Sequence, residues 1–428
     1  MRASAVPAAE ASATALPNLE TIIRGLLYVY IFSLPFNRLL FIERNGFIIL
    51  VALLVLWCAV NRRHFFTRTP IDVSLLAFVA WVAFTVPFAT FPAYSGKEFA
   101  KLLQQGLLFY VVLYFFREGR HGTRLVWTFM ATLFIVSAYG LRQFGDMVTG
   151  RVTVDEAGNA PLLESVMSGE VWLTTYLVLL VPLSVSLACF EAKRGLRMLY
   201  AITGVMALLC LIFTFSRAGL LALVCELWVF VWLIKRRRAL IAAALASLAV
   251  VATAGMLLYS DVRTIPGTGI HFRLSADTFI HRLDIWNFTA AKLAEHPVVG
   301  IGYGKDNFRL VFGQTKEEVQ PGHTPVMNVG THNLFLDLAL GVGFPGLALF
   351  VWLLYRIVAS TLTGYHRAAD VWQRAVLLGI GVGLIGLTVR VCFDQMLVGT
   401  LAIQFWVLVA MAMAVSSAPA QASHSGSR

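Results

Sequence analysis

Charge is scarce in this sequence. Of its 428 residues only 13% are Asp, Glu, Lys or Arg, 58% are hydrophobic, and the mean hydropathy is +0.76. Soluble domains carry about a quarter charged residues, so the composition excludes an ordinary soluble domain and points to an integral membrane protein. The long apolar runs also lack strict alternation of apolar and polar residues, which excludes a transmembrane barrel and leaves helices. Cysteine is thin. Cys58, Cys189, Cys210, Cys225 and Cys392 all lie inside apolar runs, with no CxxC and no Cys/His cluster. That spacing supports neither a disulfide framework nor a structural zinc site. The first nineteen residues, rich in Ala, Ser and Pro, have no apolar core of signal-peptide type and read as a disordered cytoplasmic tail.

What is present is a series of apolar runs, each near the ~20 residues that cross a bilayer as helix. Spans are expected at 20–36, 46–60, 71–90, 98–116, 125–143, 166–190, 198–215, 219–234, 239–258, 334–356, 373–392 and 396–415. The expected fold is an all-α integral membrane protein of about twelve transmembrane helices. Alternate loops differ in charge. One set (around residues 62–68, 117–124, 193–197, 235–238 and 356–374) holds sixteen Lys and Arg; the other, long loop aside, holds eight. Cytoplasmic loops carry the excess, so both termini are expected inside. The net charge of +11 is spread among loops rather than gathered into a stripe, and implies no nucleic-acid partner.

The chain therefore divides into a tail (1–19), helices one to nine (20–258), a periplasmic loop (259–331), helices ten to twelve (332–415) and a second tail (416–428). The loop is long, and long ordered loops tend to be functional. Within it "SADTFIHRLDIWNFTAAKLAEHP" reads as an amphipathic helix capped by Ser275 and ended by Pro297. Its expected apolar stripe is Ile280, Leu283, Trp286 and Leu293. "GIGYGKDNFRLVFGQ" follows as a glycine turn and a second short helix.

Certain polar residues sit where lipid or its boundary is expected. Arg217 falls in a turn of a few residues between two spans, beside the small Ser216, Ala218 and Gly219, where a phosphate has room to approach. Arg282 shares a loop-helix face with Trp286, which is placed to position a guanidinium. His332 stands at the start of span ten, with Thr331 expected as its N-cap and the imidazole facing an outer cavity. Asn333 and Asp337, one turn apart, are candidates to orient a histidine or a sugar hydroxyl. Arg390 and Asp394 are spaced to pair along a helix. Lys101, Glu170 and Glu226 complete the set of polar residues in or near spans. Taken singly, each has a bland alternative as a snorkelling, capping or solvated residue.

Three stretches together carry a resemblance: "FTFSRAGLLAL", "HRLDIWNFTAAKLAEHPVVGIGYG" and "THNLFLDLALGVGFPGL". In order and spacing they resemble the bacterial O-antigen ligase and polymerase family, over roughly residues 200–350. The resemblance implies a GT-C-like glycosyltransferase of the inner membrane. It would move a glycan from undecaprenyl diphosphate to lipid A–core on the periplasmic face, with inversion and without metal or other cofactor. Catalytic roles carry over onto Arg217, Arg282 and His332, with Trp286, Asn333, Asp337, Arg390 and Asp394 as substrate-binding candidates. The glycines of the loop (Gly267, Gly269, Gly300, Gly302, Gly304) are expected to act as hinges of a closing lid. Within the family a polymerase takes a second lipid-linked glycan and a protein O-oligosaccharyltransferase a Ser or Thr. The latter usually carry a longer C-terminal region than the "SSAPAQASHSGSR" that ends this chain, which favours ligation. A secondary transporter is the reading from another class, but it calls for related halves and midplane polar sites, and no internal repeat is visible.

Overall fold

Uninterrupted apolar runs with few breakers give long helices, and the computed structural model is built of them. It describes residues 17–117, 119–151, 162–235, 247, 277–313, 330–395 and 397–417, among which there is no strand. The helices in order are α1 (Pro17–Ser33), α2 (Leu40–Asn61), α3 (Asp72–Thr85), α4 (Pro92–Phe115), α5 (Gly119–Val148), α6 (Glu170–Phe190), α7 (Arg194–Phe213), α8 (Arg217–Ile234), α9 (Asp277–Glu295), α10 (Asn307–Phe312), α11 (Leu334–Arg367), α12 (Val371–Arg390) and α13 (Gly399–Ser417).

Among the described residues eight helices are long and apolar enough to cross a membrane: α2, α5 to α8 and α11 to α13. The chain is an all-helical, multi-pass membrane protein. The expected spans 20–36, 71–90 and 98–116 coincide with α1, α3 and α4, which fall short of that standard. Helix α1 has 17 residues, α3 with its following turn is a shorter apolar helix, and α4 carries Lys97, Glu98 and Lys101 in its N-terminal part. Span 239–258, Ser247 excepted, lies outside the described residues, as do Ser275 and most of both tails.

Helices α6, α12 and α13 are the spans most enclosed by protein. Lipid offers no hydrophobic drive for one helix to leave it for another, so small residues that let backbones close up decide the pairing. Gly379 and Gly383 of α12 do this against α6: a Cβ on Gly379 would lie 2.5 Å from Leu183 Cα, and one on Gly383 2.6 Å from Leu179 O. One turn on, Gly386 leaves room for the buried carboxyl of Glu226 from α8.

Helix α11 is broken near its first third. Val342 and Gly343 leave helical geometry, Gly343 at φ +73. Pro345 lacks the N–H that would bond Gly341 O four residues back. In lipid every freed backbone group needs a partner, and the loop supplies them. Gly302 N–H donates to Gly341 O (2.8 Å), Ile301 N–H donates to Leu340 O (2.9 Å), and Phe344 N–H donates to Pro297 O (2.9 Å). The Trp81 indole of α3 donates to Val342 O (2.8 Å). The loop and the kink are thus one structure.

This corrects the expectation that the loop's glycines are hinges. Gly300, Gly302 and Gly304 all take positive φ. A Cβ on Gly302 would lie 2.5 Å from Ser95 Oγ, and one on Gly304 2.6 Å from Glu98 Cγ. A Cβ on Gly300 would run into the Gly341 backbone. They are glycines for close approach; Gly267 and Gly269 lie outside the described residues. The expected apolar stripe of α9 holds at Leu293 and, partly, at Trp286, fails at Leu283, and at Ile280 falls on a side chain outside those described. Ile285, Thr289 and Leu293 are its buried face, whereas Leu283 is 40% exposed. Ile285 and Leu293 form a small core with Ile301, Phe308, Phe312 and Ala339 and Leu340 of α11, each fully buried apolar side chain contributing about 1.5–3 kcal/mol.

A Gly343→Ala substitution tests the fused loop and kink. Its Cβ would drive into Val298 O at a left-handed φ, adding steric conflict to backbone strain. The expected cost is about 2–5 kcal/mol, read as a lowered thermal midpoint of the detergent-solubilised protein. An unchanged midpoint would mean that the loop is not bound to the kink as described.

Candidate active site

One end of the bundle gathers the start of α6, the α7–α8 turn, helix α9, the start of α11 and the α12–α13 connection. Each delivers a polar side chain. The α7–α8 turn is tight, with Phe215 in left-handed geometry (φ +53) and Ser216 at the cap position. Arg217 is the first residue of α8. Ser216 makes no cap bond; its hydroxyl instead hydrogen-bonds Glu170 at the start of α6. Thr174 donates to the same carboxylate (2.9 Å), and Gly219 abuts the Thr174 methyl. The turn that carries Arg217 is therefore fixed to α6 by hydrogen bonds and by close packing.

His332 also holds a left-handed conformation, φ +49, a geometry that costs a non-glycine residue on the order of 1–3 kcal/mol and gathers at functional sites. The N-cap of α11 is Asn333, not Thr331 as expected: Asn333 Oδ1 accepts from Phe335 N (2.9 Å) and Leu336 N (3.1 Å). With cap and start of helix so placed, the left-handed turn at His332 sets its imbidazole Nδ1 3.5 Å from Asp394 Oδ1.

Asp394 is the hub of the site. Its second oxygen accepts from Arg390 Nη1 at 3.3 Å, so the expected Arg390–Asp394 pair forms and also reaches the histidine. Arg390 is 1% exposed, an expensive place for a charge without a partner. Burial pushes the Asp394 carboxyl upward, but its hydrogen bond to His332 and the charges of Arg390, His332 and Arg282 outweigh that and hold its pKa below the ordinary value. Arg282 of α9 completes the group. Burial lowers its pKa, Asp394 opposes this, and Arg390 and Arg217 reinforce it. These mutual influences bring Arg217, Arg282, Arg390, Glu170, Asp394 and His332 into one electrostatic neighbourhood, formally three guanidiniums against two carboxylates around a histidine.

The remaining candidates lie around this centre in other capacities. The Trp286 indole N–H donates to Thr331 O (3.0 Å) and its ring packs near Phe393. It docks α9 onto the segments bearing His332 and Asp394. Asn333 has its side-chain oxygen committed to the cap. Asp337 meets Gln395 Nε2 (3.3 Å), which also donates to Thr331 Oγ1 (2.6 Å). Glu170, seen in sequence only as a polar residue near a span, belongs to the group. A glutamate in a helix's first turn ordinarily reads as a dipole partner, so sequence offered no reason to single it out. Among the described residues no three His, Cys, Asp or Glu gather as a metal set.

The SRAG stretch at a helix start, the Arg–Trp loop helix and the strained His–Asn cap all fall in one stretch of the chain. Residues 202–351 match the O-antigen ligase family. The matched region holds Arg217, Arg282, Trp286, His332, Asn333 and Asp337, whereas Glu170, Arg390 and Asp394 join them from outside it. A curated relative, a putative polysaccharide ligase of Rickettsia bellii (strain RML369-C), is 33% identical over 76 residues. That alignment covers 18% of this chain and 19% of the relative.

Trp286→Phe separates docking from chemistry. It removes one hydrogen bond, worth about 0.5–1.5 kcal/mol, and keeps the ring. Hydrogen exchange in α9 is expected to rise by roughly threefold to tenfold while exchange in α12 stays unchanged. Equal protection of α9 in both proteins would remove Trp286 from this role.

Proposed function

We propose that this protein is an O-antigen ligase: a glycosyltransferase that moves a glycan from undecaprenyl diphosphate to a hydroxyl of lipid A–core at the periplasmic face of the inner membrane. The observation that carries the reading is the His332–Asp394 pair set among Arg217, Arg282 and Arg390. In this reading Asp394 keeps the proton on Nδ1, and Nε2 takes the proton of the acceptor hydroxyl. The freed oxygen attacks the anomeric carbon as the bond from that carbon to the diphosphate oxygen breaks, and the diphosphate leaves with the electron pair. One displacement inverts the anomeric centre. Arg217 and Arg282 receive the growing negative charge through forked donors. Arg390 holds Asp394 as carboxylate, and Glu170 orients the Arg217 turn.

The cationic character of the site supports a diphosphate leaving group stabilised by guanidiniums without a metal or other cofactor. The charge difference between alternate loops supports the periplasmic placement, with donor and acceptor both entering from lipid. The test is transfer by the purified protein, supplied with undecaprenyl-diphosphate-linked glycan and lipid A–core, with EDTA present. Product with an inverted linkage is the expected result. No product with lipid A–core, but elongation of the lipid-linked glycan, would make the protein a polymerase instead. Cysteine labelling of the 259–331 loop from the cytoplasmic side alone would overturn the placement.

A further inference from the structure

Beside the His332–Asp394 pair lies a cavity of about 140 Å³ that the proposed chemistry does not use. Its floor is Asp337 and Gln395 and its aromatic walls are Trp172 and Tyr303, with Glu98 and Lys101 of α4 also lining it. Lys101 is 56% exposed on its side chain and paired with Glu98, so the cavity opens at the α4 edge. Its size is well below the ~300–1,000 Å³ of pockets that take a whole drug-sized ligand, and suits one ring of a longer chain. Its polar lining is two carboxylates balanced by two lysines (Lys101, Lys305), with the amides Gln105 and Gln395, beside aromatic rings. Such a lining matches a sugar, whose hydroxyls need directed acceptors and donors and whose C–H face packs on an aromatic.

We propose that this cavity is a subsite for one neutral, hydroxyl-bearing ring of the acceptor glycan, held by Asp337 and Gln395 and packed against Trp172 and Tyr303. The inference rests on the glycosyltransferase reading. The floor decides acceptor over donor. Gln395 follows Asp394 in sequence and donates to Thr331 Oγ1, the residue before His332, so the floor is tied through chain and hydrogen bond to both members of the pair proposed to deprotonate the acceptor. Neither Arg217 nor Arg282 lines it. The Asp337–Gln395–Thr331 hydrogen bonds also preset the floor: Gln395 spends its N–H bonds on protein, leaving its carbonyl oxygen and the second Asp337 oxygen for ligand hydroxyls.

The experiment uses the full-length protein in nanodiscs and two variants, Trp172→Ala and the nearly isosteric Asp337→Asn. Initial rates are measured against lipid A–core and, separately, against the lipid-linked donor. Each variant is expected to raise the acceptor KM by about tenfold or more, with donor KM and kcat at saturating acceptor changed by less than about threefold. A rise in donor KM instead, or unchanged acceptor KM in Asp337→Asn, would overturn the proposal. Binding of lipid-free core oligosaccharide, titrated into wild type and into His332→Ala, separates this subsite from the chemistry. Saturable binding to both, weakened by Asp337→Asn, supports the subsite even if transfer fails. Absence of binding to wild type would refute it even if transfer succeeds.

Discussion

A His332→Ala variant is expected to lose transfer by about 10²–10⁴-fold in kcat, the range that a general base supplies, while inserting and folding normally. The imidazole side chain is 34% exposed and fills no core position, so its removal leaves packing intact. Relief of the left-handed strain is small, since alanine at φ +49 is strained too. Asp394→Asn is the companion. It keeps the shape but exchanges the carboxylate for an amide, so Nδ1–H loses a charged acceptor and Arg390 loses its counter-ion. Loss is expected in kcat rather than in the acceptor KM. Asp394 is held below its ordinary pKa, so it contributes stability that is present above the unfolded-state value near 3.9 and lost as pH falls through the lowered folded value. The stability gap between wild type and Asp394→Asn should therefore be full at pH 7 and close in strong acid. Full activity of purified His332→Ala with the lipid-linked donor would end the base assignment.

Arg217→Lys is expected to fall by about 10²–10³-fold in kcat, the cost of losing one well-placed donor to a developing anion. Charge is conserved, so a site needing only positive potential would be little affected. A site needing a fork would suffer, because an ammonium cannot donate in parallel to two phosphate oxygens. The tight turn sharpens the contrast. Arg217 starts α8 from a segment fixed to Glu170 and Thr174, and the flexible lysine cannot be re-aimed by moving the backbone. Wild-type kcat for the lysine variant, measured at saturating donor, would reduce Arg217 to a source of general field.

Arg217 was legible in the sequence because a charged residue in a turn of a few residues between two apolar runs has few places to go. The Arg390–Asp394 pair was legible too, from a spacing of four. What the sequence could not carry was convergence: that Asp394 turns its other oxygen to a histidine sixty-two positions earlier. The cap shows a finer limit. Thr331, His332 and Asn333 are all polar candidates at one helix start, and only the left-handed turn at His332 moves the cap to Asn333. The glycines show another. Composition records freedom of φ, and the same residue serves a hinge or a close contact. Here the neighbours, Gly341 and Ser95 among them, decide for contact. The start of α4 was placed six residues late, at 98, because the polar stretch through Lys97 breaks the apolar run; Glu98 and Lys101, both well inside the helix, line a cavity at the end of the bundle.

The hydrogen bonds between the kink of α11 and the turn at 297–302 have a consequence for engineering by recombination. A chimera that takes the outer loop from a related protein and joins it at residue 331 would cut through a single folded unit. It would pair a foreign glycine turn with native Leu340, Gly341 and Phe344, and a foreign α9 with a native helix cap. The transplantable module runs from the start of α9 through Gly346, and it must bring the α4 turn from Thr90 to Glu98 on which it rests. Crossovers placed at those borders would move an intact unit between related proteins; crossovers placed at the apparent edge of the loop would yield chains that do not assemble.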